Sequence, residues 1–265
     1  MKSLIVIKGG GDLATGIAHR LYRSKFNVVI TEIEQPTVIR RTVAFAQAIF
    51  SGQMTVEGVT AQRAVLSEVS SLLERGVIPV LIDPQAHCLA ELNPQGLVDA
   101  IIAKKNTGTH LQDAPVVVGV GPGFTAGTDV HAVVETARGH YLGRVYYHGS
   151  AQDNTGIPGE IGGYTIERLV RAPGGGVLSG CAVIGSQVTA GDTIAMVGDK
   201  AVLAPISGML RGLLQNGLIV HEGMKIGDID PRGEQEHCFT ISDKARSIGG
   251  GVLEALLHGG ITTWH

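Results

Sequence analysis

Leu4-Ile5-Val6-Ile7, followed by Gly9-Gly10-Gly11-Asp12-Leu13-Ala14-Thr15-Gly16, is the stretch whose reading decides the fold. The apolar, β-branched run predicts a strand, the glycines a tight turn, and the apolar series continuing through Ile17, Leu21 and Tyr22 a helix. Phe26-Asn27-Val28-Val29-Ile30-Thr31 predicts the next strand and ends at Glu32, 21 residues beyond Gly11. Gly9-x-Gly11-x-x-Ala14 therefore meets the dinucleotide-binding spacing, with an acid placed to read a ribose hydroxyl. Glycines there let a backbone approach a phosphate at a helix N-terminus. Asp12 opposes that grip, because its carboxylate would stand beside the pyrophosphate. Two readings follow: an NAD(P)-dependent oxidoreductase, or a strand–helix packing turn that holds no nucleotide.

Working outward, the alternation continues. A helix is expected from Thr60 to Arg75, stopped by Gly76, and strands at Val77–Ile82, Leu97–Ala103, Pro115–Val120 and Val130–Val134. The expected first domain, residues 1–165, is Rossmann-like α/β with a mostly parallel sheet. Val130–Val134 and Arg144–Tyr147 are close enough to form a hairpin, which makes a mixed sheet the safer expectation. In open parallel sheets ligands bind beyond the carboxyl ends of the strands. The residues expected to hold a cofactor are accordingly Gly9, Gly10, Gly11, Asp12, Ala14, Glu32, Lys104, Lys105, Asn106, Thr107, Gly121, Gly123, Arg138 and Lys244. Cations and backbone N–H groups in this set suit an anionic, phosphorylated ligand. Asp129, His131 and Glu135 share a strand face by their even spacing and are candidate metal ligands.

Composition narrows the class. With 265 residues, 44% hydrophobic, the chain can bury a core, and a net charge of -3 offers no global basic field to nucleic acid or an anionic membrane. No basic-then-apolar leader or membrane-length apolar run is read, so a cytoplasmic protein is expected. Cys88, Cys181 and Cys238 fit neither a disulfide framework nor an iron–sulfur or zinc motif. Of 38 glycines, 25 fall between residues 108 and 233, which marks that region as rich in tight turns and close backbone approaches.

Part of that glycine excess is a repeat. Ala172-Pro173-x-x-Gly176-x-Leu178 returns 32 residues later as Ala204-Pro205-x-x-Gly208-x-Leu210, and Gly185, Val188, Gly191 and Ile194 return as Gly217, Val220, Gly223 and Ile226. The pattern resembles the halves of a biotinyl/lipoyl-type barrel-sandwich hybrid, expected over residues 168–232. Lys200 lies where carrier domains of that fold are modified, but without their flanking residues. A non-enzymatic carrier or scaffold is the third functional class. The remaining residues, 233–265, predict a helix capped by Ser242, packing back on the first domain and carrying Lys244, Arg246 and Gly249-Gly250-Gly251. Either an anion at its N-terminus or a backbone packed against the glycines would account for these.

Several motifs together resemble one family. They are Gly9–Gly16, Ala103-Lys104-Lys105-Asn106-Thr107-Gly108, Gly121-Pro122-Gly123-Phe124, Asp129-Val130-His131 with Glu135-Thr136 and Arg138-Gly139-His140, Asp228-Ile229-Asp230-Pro231-Arg232, and Ser242-Asp243-Lys244-Ala245. The chain is similar over nearly its whole length to selenium-dependent molybdenum hydroxylase system proteins of the YqeB type. The resemblance implies an accessory or maturation role, a molybdenum hydroxylase as client, and a nucleotide or molybdopterin-type cofactor. A homo-oligomer is compatible with it. It implies no catalytic residues, and whether the protein is an enzyme stays open.

Overall fold

The computed structural model describes residues 2–154, 156 and 159–263. Thr155 and Pro158, within the glycine-rich polar stretch, lie outside the described residues. The chain forms two compact units: Met1–Pro36, Ala44–Thr155 and Ile241–His265 make unit 1, and Thr37–Val43 with Gly156–Thr240 make unit 2.

Unit 1 is built on one nine-stranded sheet. Its elements in order are β1 (Leu4–Lys8), α1 (Asp12–Arg23), β2 (Asn27–Glu32), α2 (Ala48–Ser51), β3 (Gln53–Val56), β4 (Val59–Ala64), α3 (Val69–Glu74), β5 (Ile78–Ile82), α4 (Leu89–Leu92), β6 (Gly96–Asp99), β7 (Val116–Val120), β8 (Ala132–Val134), β9 (Val145–Tyr146) and α5 (Asp243–His258). Strand order is β3-β4-β5-β2-β1-β6-β7-β8-β9. The strands from β4 to β8 pair in parallel, whereas β3 and β9 add antiparallel edges, so the sheet is mixed. Val6, Val29, Leu97, Val117 and Val133 share one core, which explains why these strands read as unbroken apolar runs.

One expected element changes type. Residues 59–64 belong to a β3–β4 hairpin rather than a helix from Thr60, and only Val69–Glu74 is α-helical. Glu57 and Gly58, with φ of 44° and 77°, form the two-residue turn; positive φ at both positions matches the twist of the flanking strands. β6 also ends at Asp99, well short of Ala103.

The helix capped by Ser242 is present as α5, and the Ser242 hydroxyl accepts the Ala245 N–H. It packs along α1. An ideal Cβ on Gly249 would stand 3.0 Å from the Gly16 carbonyl oxygen, and one on Gly16 would stand 2.6 Å from Ala245 Cβ. Close backbone approach is therefore the cause of these glycines.

Unit 2 contains β10 (Leu169–Arg171), β11 (Gly176–Gly180), β12 (Gln187–Val188), β13 (Thr193–Val197), β14 (Lys200–Leu203), β15 (Gly208–Leu213), β16 (Ile219–Val220) and β17 (Lys225–Asp230). They form two four-stranded antiparallel sheets, β10-β17-β15-β12 and β14-β13-β11-β16. Equivalent glycines of the two repeats share backbone conformation: Gly176 and Gly208 have φ of 154° and 156°, Gly185 and Gly217 of 94° and 90°. Each repeat lends its short second strand to the other's first, β12 to β15 and β16 to β11. The expected architecture, a Rossmann-like mostly parallel sheet plus a barrel-sandwich hybrid, is thus corrected to a large mixed sheet plus two antiparallel sheets. The repeat pattern specified paired turns and short strands, and these are met by two separate sheets once β10 and β14 extend them. Lys200 is exposed at the start of β14.

Candidate functional site

The strand order reverses at β1, whose neighbours β2 and β6 lead to opposite halves of the sheet. This is the position where an open α/β sheet leaves a crevice beyond its carboxyl ends. Here the chain itself fills the first turn. An ideal Cβ on Gly9 would lie 3.0 Å from the Ala100 carbonyl oxygen, and one on Gly10 would lie 2.9 Å from Ala46 N. The Ala46 N–H donates to the Gly10 carbonyl at 2.8 Å and the Phe45 N–H to Thr15 Oγ1 at 2.8 Å. Glu32 is equally committed, accepting the Gly10 N–H and the Ile33 N–H, each at 2.8 Å. Burial raises its pKa above the ordinary carboxylate value, and the two N–H groups offset part of that rise. Gly9 and Gly10 are thus closed in by the chain's own backbone, Ala14 is buried in α1, and Gly11, the residue before α1, has open space where a side chain would stand. Accordingly, NAD and NADP at millimolar concentration should raise the melting temperature no more than pyrophosphate does; a shift larger by several degrees would contradict this reading of the turn.

Beside the first turn lies a polar group that the sequence reading did not single out. Lys8, ending β1, and Asp99, ending β6, are 4% and 1% exposed, and Thr109 joins them. The Lys8 ammonium donates to Thr109 Oγ1 at 2.8 Å, that hydroxyl donates to Asp99 Oδ2 at 2.6 Å, and the ion pair spans 3.7 Å. The available signal was Asp99 itself, a charge inside the apolar run from Leu97.

Residues 100–108 leave from this network. Asn106 secures their far end: its Oδ1 accepts the Gly108 and Thr109 N–H groups and its Nδ2 donates to the Thr109 carbonyl. Lys104, Lys105 and Thr107 are exposed on the same loop. Ile102 and Lys104 have φ of 59° and 64°, a left-handed conformation costing about 1 kcal/mol or more per non-glycine residue. The loop packs on the β7 turn, where a Cβ on Gly123 would lie 2.5 Å from Lys105 Cα. Gly121 in turn faces Thr136, whose hydroxyl would be 2.9 Å from its Cβ.

The β8 turn completes the arc. Glu135 is fully buried: Oε1 accepts the Thr136 and Ala137 N–H groups at 2.7 Å and Oε2 accepts the Gln152 N–H. Arg138 makes a two-pronged ion pair with Asp243, in the first turn of α5, at 2.8 and 2.9 Å. Lys244 follows, half-buried, in the fields of Arg138, Asp12, Glu135 and Asp243. Burial, reinforced by the Arg138 charge, lowers its pKa below the ordinary lysine value against the pull of the three acids. The structure thus joins Lys104 and Lys105 to Gly123 and Gly121 to Thr136 on the loops after β6, β7 and β8, and it sets Arg138 and Asp12 in the field of Lys244.

Asp129, His131 and Glu135 do not converge on a metal. Asp129 accepts the Thr125 N–H, His131 Nδ1 accepts the Val117 N–H, and Glu135 is occupied as above. Even spacing aligns side chains only along a continuous strand, and β8 spans only Ala132–Val134. Among the described residues no group of three His, Cys, Asp or Glu side chains forms a metal site.

Over 255 residues the chain is 57% identical to the uncharacterized protein YqeB of Escherichia coli K12, covering 96% of this chain and 47% of that protein. The chain spans about half the length of that relative. No family model matches. Solved structures similar to it include an aspartoacylase family protein from Mesorhizobium loti (10% identical, 86% of this chain and 84% of that chain, TM-score 0.27). A succinylglutamate desuccinylase/aspartoacylase from Rhodobacter sphaeroides is 14% identical over 86% and 85%, also at TM-score 0.27. The ectoine utilization protein EutE from Ruegeria pomeroyi is 9% identical over 86% and 85% at TM-score 0.26. Likeness at that level carries no argument about this chain's reaction. The expected molybdenum hydroxylase maturation role, with its selenium and molybdenum associations, is corrected: the matched relative is named as uncharacterized, and the similar solved structures are named as acylase- and desuccinylase-type or ectoine-utilization proteins. Among the described residues no helix is long and apolar enough to cross a membrane.

Proposed function

We propose that unit 1 binds a small molecule through an anionic group, a phosphate or a carboxylate, held along the carboxyl edge of β6, β7 and β8. The observation that carries this reading is Lys244. Lys244 is half-buried on the first turn of α5 with Arg138 near it, and the carboxylates of Asp12, Glu135 and Asp243 offset only part of the cost of its charge, which a bound anion would offset further. Its position at the positive end of the α5 dipole adds to that cost and to the attraction for an anion. Lys104 and Lys105 stand exposed on the loop packed against the β7 turn, and in this reading they add cations beside the same carboxyl edge. Asp12 and Asp243 restrict what fits, since a ligand must meet the cations without displacing those carboxylates.

Thermal unfolding in the presence of pyrophosphate, nucleoside phosphates and dicarboxylates tests the proposal. At least one should raise the melting temperature by several degrees, and Lys244→Ala should remove most of that rise. No response to any of them, or an undiminished response in the variant, would contradict it.

A pH dependence follows. Only the ammonium form of Lys244 attracts an anion, so affinity should fall as pH rises through its lowered pKa. Stability runs the other way. Because the folded-state value lies below the ordinary 10.5, the unfolded chain holds more protons between the two, and stability attributable to this residue rises with pH across that window. Lys244→Met should flatten both profiles, measured by titration calorimetry and by urea unfolding between pH 7 and 10.

A further inference from the structure

The Asp228-Ile229-Asp230-Pro231-Arg232 motif takes no part in unit 1; its first three residues end β17 in unit 2. Asp228 and Asp230, two residues apart on a strand, project to one face, and both are buried. Each gathers basic side chains. Arg168 pairs with Asp228. Around Asp230 Oδ2 stand Arg232 Nη2 at 2.6 Å, Arg211 Nη1 at 3.6 Å and His237 Nδ1 at 3.9 Å. Arg40 Nη2 and Arg211 Nε donate to the same His237 carbonyl, at 2.9 and 3.4 Å, which brings two guanidinium groups together.

The backbone is arranged to present Arg211. In the β15–β17 ladder, Leu210 pairs with Ile229 and Gly212 with Asp228, so Arg211 is the extra residue of a β-bulge. A bulge re-aims a side chain, here one that is only 7% exposed on an interior strand of its sheet. Burial and the charges of Arg40 and Arg232 lower the Arg211 pKa, and Asp230 and Asp228 oppose that effect. His237 Nδ1 and Arg168 Nε are buried without a hydrogen-bond partner among the described residues. Beside the paired guanidinium groups of Arg40 and Arg211, His237 Nδ1 stands buried at the edge of the cluster. Arg232 already takes Asp230 in a two-pronged pair, at 2.9 and 2.6 Å, so Arg211 at 3.6 Å and its neighbour Arg40 add guanidinium charge beyond what that carboxylate matches.

We propose that this cluster is a binding site for a small tetrahedral oxyanion of the phosphate class, separate from the edge of unit 1. Arg211 supplies the buried floor; Arg232 and His237, whose side chains are 42% and 39% exposed, form its entrance. Guanidinium groups suit this ligand because their planar forks match phosphate oxygens.

Titration calorimetry of the full chain with inorganic phosphate, at ionic strength held constant with chloride, tests the site. The background is Lys105→Ala with Lys244→Ala, so that the unit 1 edge does not report. Saturable phosphate binding is expected in that background, weakened at least tenfold by Arg232→Gln and by His237→Ala. Phenyl phosphate, titrated alongside, distinguishes sources: binding like phosphate assigns the phosphoryl group of a larger molecule, and exclusion assigns the free ion. Absence of saturable phosphate binding would overturn the proposal. So would an unchanged affinity in the folded variants; if Arg232→Gln fails to fold, His237→Ala carries the test.

Discussion

Replacing Asp99 with alanine is expected to destabilise unit 1 by about 3–5 kcal/mol, the cost of leaving one member of a buried ion pair uncompensated. The pair to Lys8 is bridged by the Thr109 hydroxyl, so the substitution strands both the ammonium and a hydroxyl donor in the interior. It also removes the acceptor of the Ile101 N–H, at the start of the loop that carries Lys104 and Lys105. Asp99→Asn loses the charge and one of the two acceptor oxygens, so it keeps a partner for either Thr109 or the Ile101 N–H, and its cost should be smaller than that of alanine. Urea unfolding of the three proteins at pH 7 measures both differences. An Asp99→Ala midpoint within error of wild type would show that the network does not hold the edge together.

The second large effect separates two adjacent glycines of α5. A Cβ on Gly251 would press into the Gly143 carbonyl oxygen and stand 2.9 Å from Val134 Cγ1, whereas a Cβ on Gly250 meets nothing within 4 Å. Backbone cannot yield as a flexible side chain does. Gly251→Ala should therefore cost about 3 kcal/mol, at the upper end of overpacking effects. Gly250→Ala should stabilise by up to about 1 kcal/mol, the helix propensity gained. Melting temperatures that move in opposite directions are the expected outcome. Equal shifts would contradict the packing of α5 against the β8–β9 turn.

Much of this architecture was legible because local signals and burial agreed. The run from Leu4 to Ile7 is apolar without alternation because β1 lies inside the sheet, and Ser242 before α5 is a cap in fact as in pattern. The β3–β4 hairpin was not legible. Val65, Leu66, Val69, Leu72 and Leu73 supply a helical spacing that invites extension backward through Thr60, while the turn signal, Glu57-Gly58, lacks the usual asparagine or aspartate. At the site, the arc from Lys104 to Lys244 could be listed by chain position and strand end. What sequence could not tell was which polar atoms the chain keeps for itself. Glu32 and Glu135 spend their carboxylates on backbone N–H groups, and Gly10 yields its space to Ala46. Lys8 and Asp99 were overlooked for the converse reason: charges at strand ends read as solvated until their burial is seen.

The most direct test of the anion-binding edge is the titration of Lys244 itself, followed by NMR of lysine side chains labelled with carbon-13 and nitrogen-15 and assigned through Lys244→Arg. Without ligand its pKa should lie below the ordinary lysine value, and saturating pyrophosphate, or whichever anion raises the melting temperature most, should move it upward together with the side-chain resonances. A Lys244 signal whose pKa and chemical shifts stay fixed throughout the anion titration would contradict the account.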